Sequence, residues 1–214
     1  MITSELYTKI TDKYKNSRVI KDKVLGITYA QSILELLYKV EKADKDLYDK
    51  FISAPASTAF HGVYAGGLFD HSLNVCFNLL EWMLQHEKAG LTPDDCILVG
   101  MLHDMCKAEL YSYNGTKYVY DKAKAKHHAK ESLDIITKRL GIKLNIKQKV
   151  LILLHMSSWH NDEDVRALGF DKLWLMNLKH IKLLQAVNWA DMNATKQELE
   201  ADLKKEIADL KEAA

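Results

Sequence analysis

The chain has 214 residues, the length of one domain or of one domain with a short appendage. Hydrophobic residues make up 48%, enough for a sizeable core. With 30 basic and 29 acidic residues and a formal net charge of +1, it lacks the basic surplus by which proteins grip long nucleic acid, so the balance favours a small anionic ligand over a polymer.

The opening stretch, MITSELYTKITDKYKNS, is too polar for a signal peptide, and no apolar run is long enough to span a bilayer. The chain reads as a soluble cytoplasmic protein with no membrane partner. Apolar residues then recur at helical spacing. Ile27, Ala30, Ile33, Leu34, Leu37 and Val40 form one stripe, and Leu73, Cys76, Leu79, Leu80 and Met83 a second. A third holds Ile97, Val99, Gly100, Leu102 and His103. Leu133, Ile135, Ile136 and Leu140 follow, then Val150 to Met156 and Ile181 to Met192. Only two prolines occur, Pro55 and Pro93, and both read as loop residues. Cys76, Cys96 and Cys106 are odd in number, form no CxxC pair and lie in apolar stretches, so they read as buried thiols in a reducing compartment.

One stretch breaks the helical pattern. YSYNGTKYVYD, residues 111–121, alternates aromatics around Asn114-Gly115, a hairpin signal, and predicts a small β-ribbon. The charged tail 195–214 carries Leu199, Leu203, Ile207 and Leu210 as one apolar stripe, which predicts an amphipathic helix docked on the body. Contact with a second copy, giving a homo-oligomer, is the alternative. The expectation is a single all-α domain over 1–214, with N-terminal helices in 1–55 and a motif core in 61–194.

Several metal-capable side chains sit in or near apolar helical runs: His71, the pair His103-Asp104, His128, His155 and Asp191. One histidine in a core helix is ordinarily a satisfied hydrogen-bonding group. LVGMLHDMCK places an imidazole and a carboxylate together at the end of a hydrophobic helix, and a buried carboxylate needs a cation or several donors. QAVNWADMNA sets the same requirement at Asp191. Neutral imidazoles and carboxylates are ligands for divalent transition metals. Two histidines and two aspartates from separate helices make one site, and two further histidines a second, with Asp104 between. Paired ions are a common device for phosphate ester hydrolysis. His86 and His180 read as surface or helix-end residues, and Gly66-Gly67 as the tight turn into the helix bearing His71.

GGLFDHSLNV, LVGMLHDMCK, HHAKES, LILLHMSSWH and NWADMNA, in the order H … HD … H … H … D, resemble the HD-domain superfamily of metal-dependent phosphohydrolases. Phage-encoded HD hydrolases are similar, as is the HD domain of a bacterial 3′–5′ exoribonuclease group with an HxxYxGGLxxHS stretch. The resemblance spans residues 61–194 and implies an all-α HD fold with the β-ribbon as a small insertion near 111–121. It implies a first metal on His71, His103, Asp104 and Asp191, and a second on Asp104, His128 and His155. His127 adjoins His128, and alignment of HAKES favours His128. The cofactors implied are divalent ions, two of Mn, Mg, Co, Fe, Ni or Zn.

Asp104 and Lys107 are the implied catalytic residues. Lys107 takes the lysine place of an HDxxK pattern, as a phosphate contact or proton-transfer aid, with a solvent-facing lysine as the alternative. His61 either contacts substrate phosphate or ties down its loop. Trp159 stands beside His160 at a candidate pocket rim, as a stacking residue or a partly buried core residue. The implied function is hydrolysis of a phosphate ester of a small nucleotide by metal-activated water. The rivals are a di-iron HD-fold oxygenase, which would use the same ligands, and a non-catalytic nucleotide-binding protein.

Overall fold

The computed structural model describes residues 4–121, 128–156 and 178–212. Its helices are α1 (Ser4–Asn16), α2 (Lys23–Ala43), α3 (Lys45–Ser53), α4 (Gly67–Gln85), α5 (Pro93–Leu102), α6 (His128–Asp134), α7 (Ile146–Leu153) and α8 (Leu178–Glu212). The strands β1 (Tyr111–Tyr113) and β2 (Tyr118–Tyr120) form one antiparallel ribbon. The fold is all-α with a small β insertion, as the sequence predicts.

The helix starts are written locally. The Asp22 carboxylate accepts from the N–H groups of Val24 and Leu25 and opens α2. Thr92 and Asp95 cap α5 reciprocally, and Asn145 and Gln148 do the same for α7. Pro93, expected in a loop, is instead the first residue of α5, where a missing N–H costs nothing. Gly115 supplies the left-handed residue of the ribbon turn, and Asn114 Oδ1 accepts from the N–H groups of Thr116 and Lys117.

Helix α4 is the axis of the core. Fourteen of its 19 residues are buried, so it needs apolar cover on every side. It is flanked by α5, α8, α3 and α1. The expected stripes are mostly buried, with Leu34, Ile135 and Leu184 partly so, whereas Ile27, Met156, Trp189 and Met192 are exposed and the side chain of Ile181 lies outside the described residues. Cys76, Cys96 and Cys106 are buried free thiols, as expected. Among the described residues, no helix is long and apolar enough to cross a membrane.

Two close approaches set the positions of the functional side chains. Gly66, with φ 91°, precedes α4, and a Cβ on Gly67 would lie 2.0 Å from the carbonyl oxygen of Gly62. This is the tight entry expected of the glycine pair. A Cβ on Gly100 would lie 2.3 Å from Cys76 Cα, so α5 reaches α4 only because residue 100 has no side chain.

The tail is helical, but its docking differs from expectation. Helix α8 runs unbroken from residue 178 and packs through Leu183, Val187, Ala190, Ala194 and Glu198. Leu199, Leu203 and Ile207 lie on the opposite face, 46%, 57% and 44% exposed. The stripe expected to dock is thus exposed, because the register that brings Asp191 and Ala194 inward turns Leu199 outward. The side chain of Leu210 lies outside the described residues.

Gly100→Ala should force α4 and α5 apart and cost about 1–3 kcal/mol, a fall of roughly 5 °C in Tm. A thermal melt of the variant checks this, and an unchanged Tm would contradict the close-approach account.

Candidate metal centre

The ends of several elements meet at one buried point. His71 is on the first turn of α4, His103 caps the C-terminus of α5, and Asp104 follows it. Lys107 lies on the 3₁₀ turn Met105–Glu109, His128 begins α6, and His155 lies just beyond α7. Asp191 comes from α8. One donor atom each from His71, His103 and Asp191 lie within 4.8 Å of one another, and so do those from His103, Asp104 and His155. His128 Nε2 is 3.2 Å from His155 Nε2, and each is 3.7 Å from Asp104 Oδ1. All six sequence-predicted ligands are therefore gathered in one cluster.

Their tautomers suit metal binding. His103 Nδ1–H donates to the Gly100 carbonyl at 3.0 Å, and His155 Nδ1–H to the Ile152 carbonyl at 2.7 Å. Each leaves its Nε2 lone pair facing the cluster. Asp104 Oδ1 and His103 Nε2 are buried and accept or donate no hydrogen bond. A carboxylate oxygen left so inside a protein is costly unless a cation answers it. The donor set and these orphaned atoms fit divalent ions on both sides of Asp104.

Lys107 supplies part of the countercharge. Its Nζ lies 2.7 Å from Asp104 Oδ2, which contradicts a solvent-facing lysine. Burial opposes the Lys107 charge, but Asp104 more than offsets this and raises its pKa. Burial likewise opposes the Asp104 charge, yet Lys107 and His103 hold that carboxyl well below the usual carboxylate range.

Sequence reading missed Glu198. Its carboxylate lies 3.2 Å from His71 Nδ1, while Asp191 Oδ1 lies 3.0 Å from Nε2 of the same ring. Asn74, one turn beyond His71, donates to Glu198 at 2.7 Å, and Lys13 donates in turn to Asn74. Asp191 and Glu198 are seven residues apart on one helix, so they share a face. That spacing is the signal the sequence offered. Burial of His71 disfavours its charge, but the two carboxylates outweigh it and raise its pKa to about 9. Among the described residues, the carboxylates of Asp104, Asp191 and Glu198 face Lys107 and protonated His71 within the cluster.

His61 comes in from the loop before α4, its ring 4.7 Å from that of His71 and its Nε2 3.9 Å from Glu198. Both its ring nitrogens are buried with no hydrogen-bond partner. Burial and the His71 charge push its pKa to about 4, so it is a neutral imidazole near pH 7. His127, Trp159 and His160 lie outside the described residues. A surface groove of about 840 Å³, lined by Tyr38, Lys42 and Leu98 among others, shares no residue with this cluster. Chemistry, not hollow size, marks the site.

An all-helical protein that gathers imidazoles and carboxylates from separate helix ends into a buried cluster has the makings of a helical metal-dependent hydrolase. The HD domain family profile matches residues 68–210, and the chain belongs to that family, whose members bind divalent metals and are for the most part phosphohydrolases. Comparison with curated proteins and with solved structures gives no match.

The metal-free protein should be most stable near pH 6.5. The charged His71 contributes stability that is present below its ordinary pKa of 6.5 and lost as pH rises through about 9. His61 and His155, both held to about 4 mainly by burial, oppose folding once the unfolded chain takes up protons below 6.5. Melts across pH 4–9 should fall on both sides, and a Tm rising steadily from 6.5 to 9 would contradict the His71 assignment. Glu198→Ala should weaken Mn²⁺ binding about 10–100-fold by calorimetry, since a carboxylate that fixes a ligating imidazole has effects of that order.

Proposed function

We propose that the protein is a two-metal phosphohydrolase acting on a phosphate ester of a small nucleotide. The observation that carries the proposal is the unpartnered, buried Oδ1 of Asp104, with His128 and His155 both 3.7 Å from it. His71, His103, Asp104 and Asp191 would hold one ion, and Asp104, His128 and His155 the other. Ions held there would supply an acidic water near neutral pH and would draw charge from the phosphoryl oxygens.

The chain's own residues do the rest. Asp104 joins the two halves of the site, and its depressed pKa keeps it an anionic ligand. His103 and His155 hold their Nε2 lone pairs in place through backbone acceptors. Glu198 fixes the ring of His71. Lys107 carries a permanent positive charge at the rim of the cluster and stabilises charge developing on the phosphate. His61, being neutral, offers the substrate a hydrogen bond rather than a charge. The overall charge balance favours a nucleotide over a long polymer. Membership of the HD domain family, for the most part phosphohydrolases, supports phosphate ester chemistry.

The test pairs metal analysis of protein purified without chelator with phosphate release from a nucleotide panel in Mn²⁺, Mg²⁺ or Co²⁺. About two ions per chain with turnover of one nucleotide class is expected. Two irons without phosphate release would overturn the reading in favour of an oxygenase, and nucleotide binding without turnover in favour of a sensor. Asp104→Ala should abolish metal binding and activity. His128→Ala and His155→Ala should each lose the second ion and retain the first, and unchanged metal content there would contradict the two-ion assignment.

A further inference from the structure

The ribbon that follows Lys107 carries four tyrosines. Tyr111 pairs with Tyr120 and Tyr113 with Tyr118, in antiparallel register. Residues two apart in a strand, and residues directly opposite across a pair, share a face. All four phenol rings therefore stand on one face, with Ser112 and Val119 on the other. Ring centroids are 5.6 Å apart in the Tyr111–Tyr120 pair and 5.3 Å apart in the Tyr113–Tyr118 pair.

This aromatic face has an inner and an outer end. At the inner end the Tyr111 hydroxyl donates to the Ala56 carbonyl at 3.3 Å, which ties the ribbon to the loop carrying His61. Tyr111 lies four residues from Lys107, β1 packs against the 3₁₀ turn that carries Lys107, and the Asp121 N–H donates to the Leu110 carbonyl, closing the ribbon onto that turn. Tyr120, across from Tyr111 at the inner end, is 38% exposed, and Tyr113 at the outer end is 61% exposed. The face begins on the turn after Lys107, with Tyr111 and Tyr118 half-buried and Tyr113 and Tyr120 exposed.

We propose that the tyrosine face of the ribbon is the base-stacking platform of the active site, holding the nucleobase of a nucleotide whose phosphate lies at Lys107 and Asp104. This rests on the phosphohydrolase reading and deepens it. Phenol rings stack on the π-face of any base, so the platform selects nucleotides over base-free phosphates without choosing among bases. Tyr111, anchored through its hydroxyl, sets the height of the platform. Tyr113 and Tyr120 are the rings free to meet a ligand.

The experiment is calorimetric binding of AMP, GMP, CMP, UMP and ribose 5-phosphate to the metal-loaded protein, for wild type, Tyr120→Ala, Tyr120→Phe and the Tyr113→Ala/Tyr120→Ala pair. Phosphate release is measured alongside. Wild type should bind the nucleotides about tenfold or more tighter than ribose 5-phosphate. The alanine variants should lose about that advantage and bind ribose 5-phosphate as wild type does, while Tyr120→Phe keeps it. Equal affinity of wild type for ribose 5-phosphate and nucleotides would overturn the platform. So would alanine variants that lose nothing, or that lose both ligands alike. The two readings fail separately. Base-dependent binding with no turnover of these ligands or of any nucleotide in the wider panel above would overturn the hydrolase and uphold the platform. Phosphate release indifferent to base and to the tyrosines would do the reverse.

Discussion

A carboxylate buried at the end of a hydrophobic helix is the constraint on which this structure is built. Asp104 is 2% exposed, and its Oδ1 has no hydrogen bond. Removing that charge from water is costly, and the surrounding elements are arranged to answer it. Helix α5 ends on His103, α6 begins with His128, α7 runs out at His155, and Lys107 returns on the next turn to meet Oδ2. The close seat of α5 on α4 at Gly100 brings His71 and, behind it, α8 to the same point.

The centre has two kinds of positive charge built from protein. Lys107 neutralises one oxygen of Asp104, and the extra proton on His71 sits between Asp191 and Glu198. A divalent ion at His71 Nε2 would replace that proton, so metal binding and His71 deprotonation are the same event there. Glu198 would then remain as the acceptor for Nδ1–H, in the usual relation of a carboxylate to a metal-bound imidazole. His61 and His155 lie at the other extreme, driven neutral by burial. One cluster thus keeps charged and uncharged imidazoles a few ångströms apart, each set by what it touches.

Much of this was legible in the sequence. The ribbon followed from alternating tyrosines around Asn114-Gly115, and the turn into α4 from Gly66-Gly67. The six candidate ligand residues that the fold brings together followed from polar residues intruding on apolar runs, together with family resemblance. Glu198 was hidden because it lies in a charge-dense tail, where an acid looks solvated. Its role depends on α8 continuing through residue 195, and on the turn that sets Glu198 over Asn74. The same continuity misled the reading of Leu199, Leu203 and Ile207. Their spacing marks a face, but spacing alone does not say which face of a helix meets the body. Pro93 was misplaced because proline marks helix starts as readily as loops. The aromatic ladder was visible as a pattern, but its place beside Lys107 required the fold.

The most direct test of the central claim is a crystal structure of the protein soaked in Mn²⁺, with anomalous data collected for manganese. The account predicts two anomalous peaks, one on either side of the Asp104 carboxylate. One should lie among His71, His103 and Asp191, and the other between His128 and His155. Peaks elsewhere, or a manganese site that leaves Asp104 unligated, would contradict the claim that this buried carboxylate organises the centre.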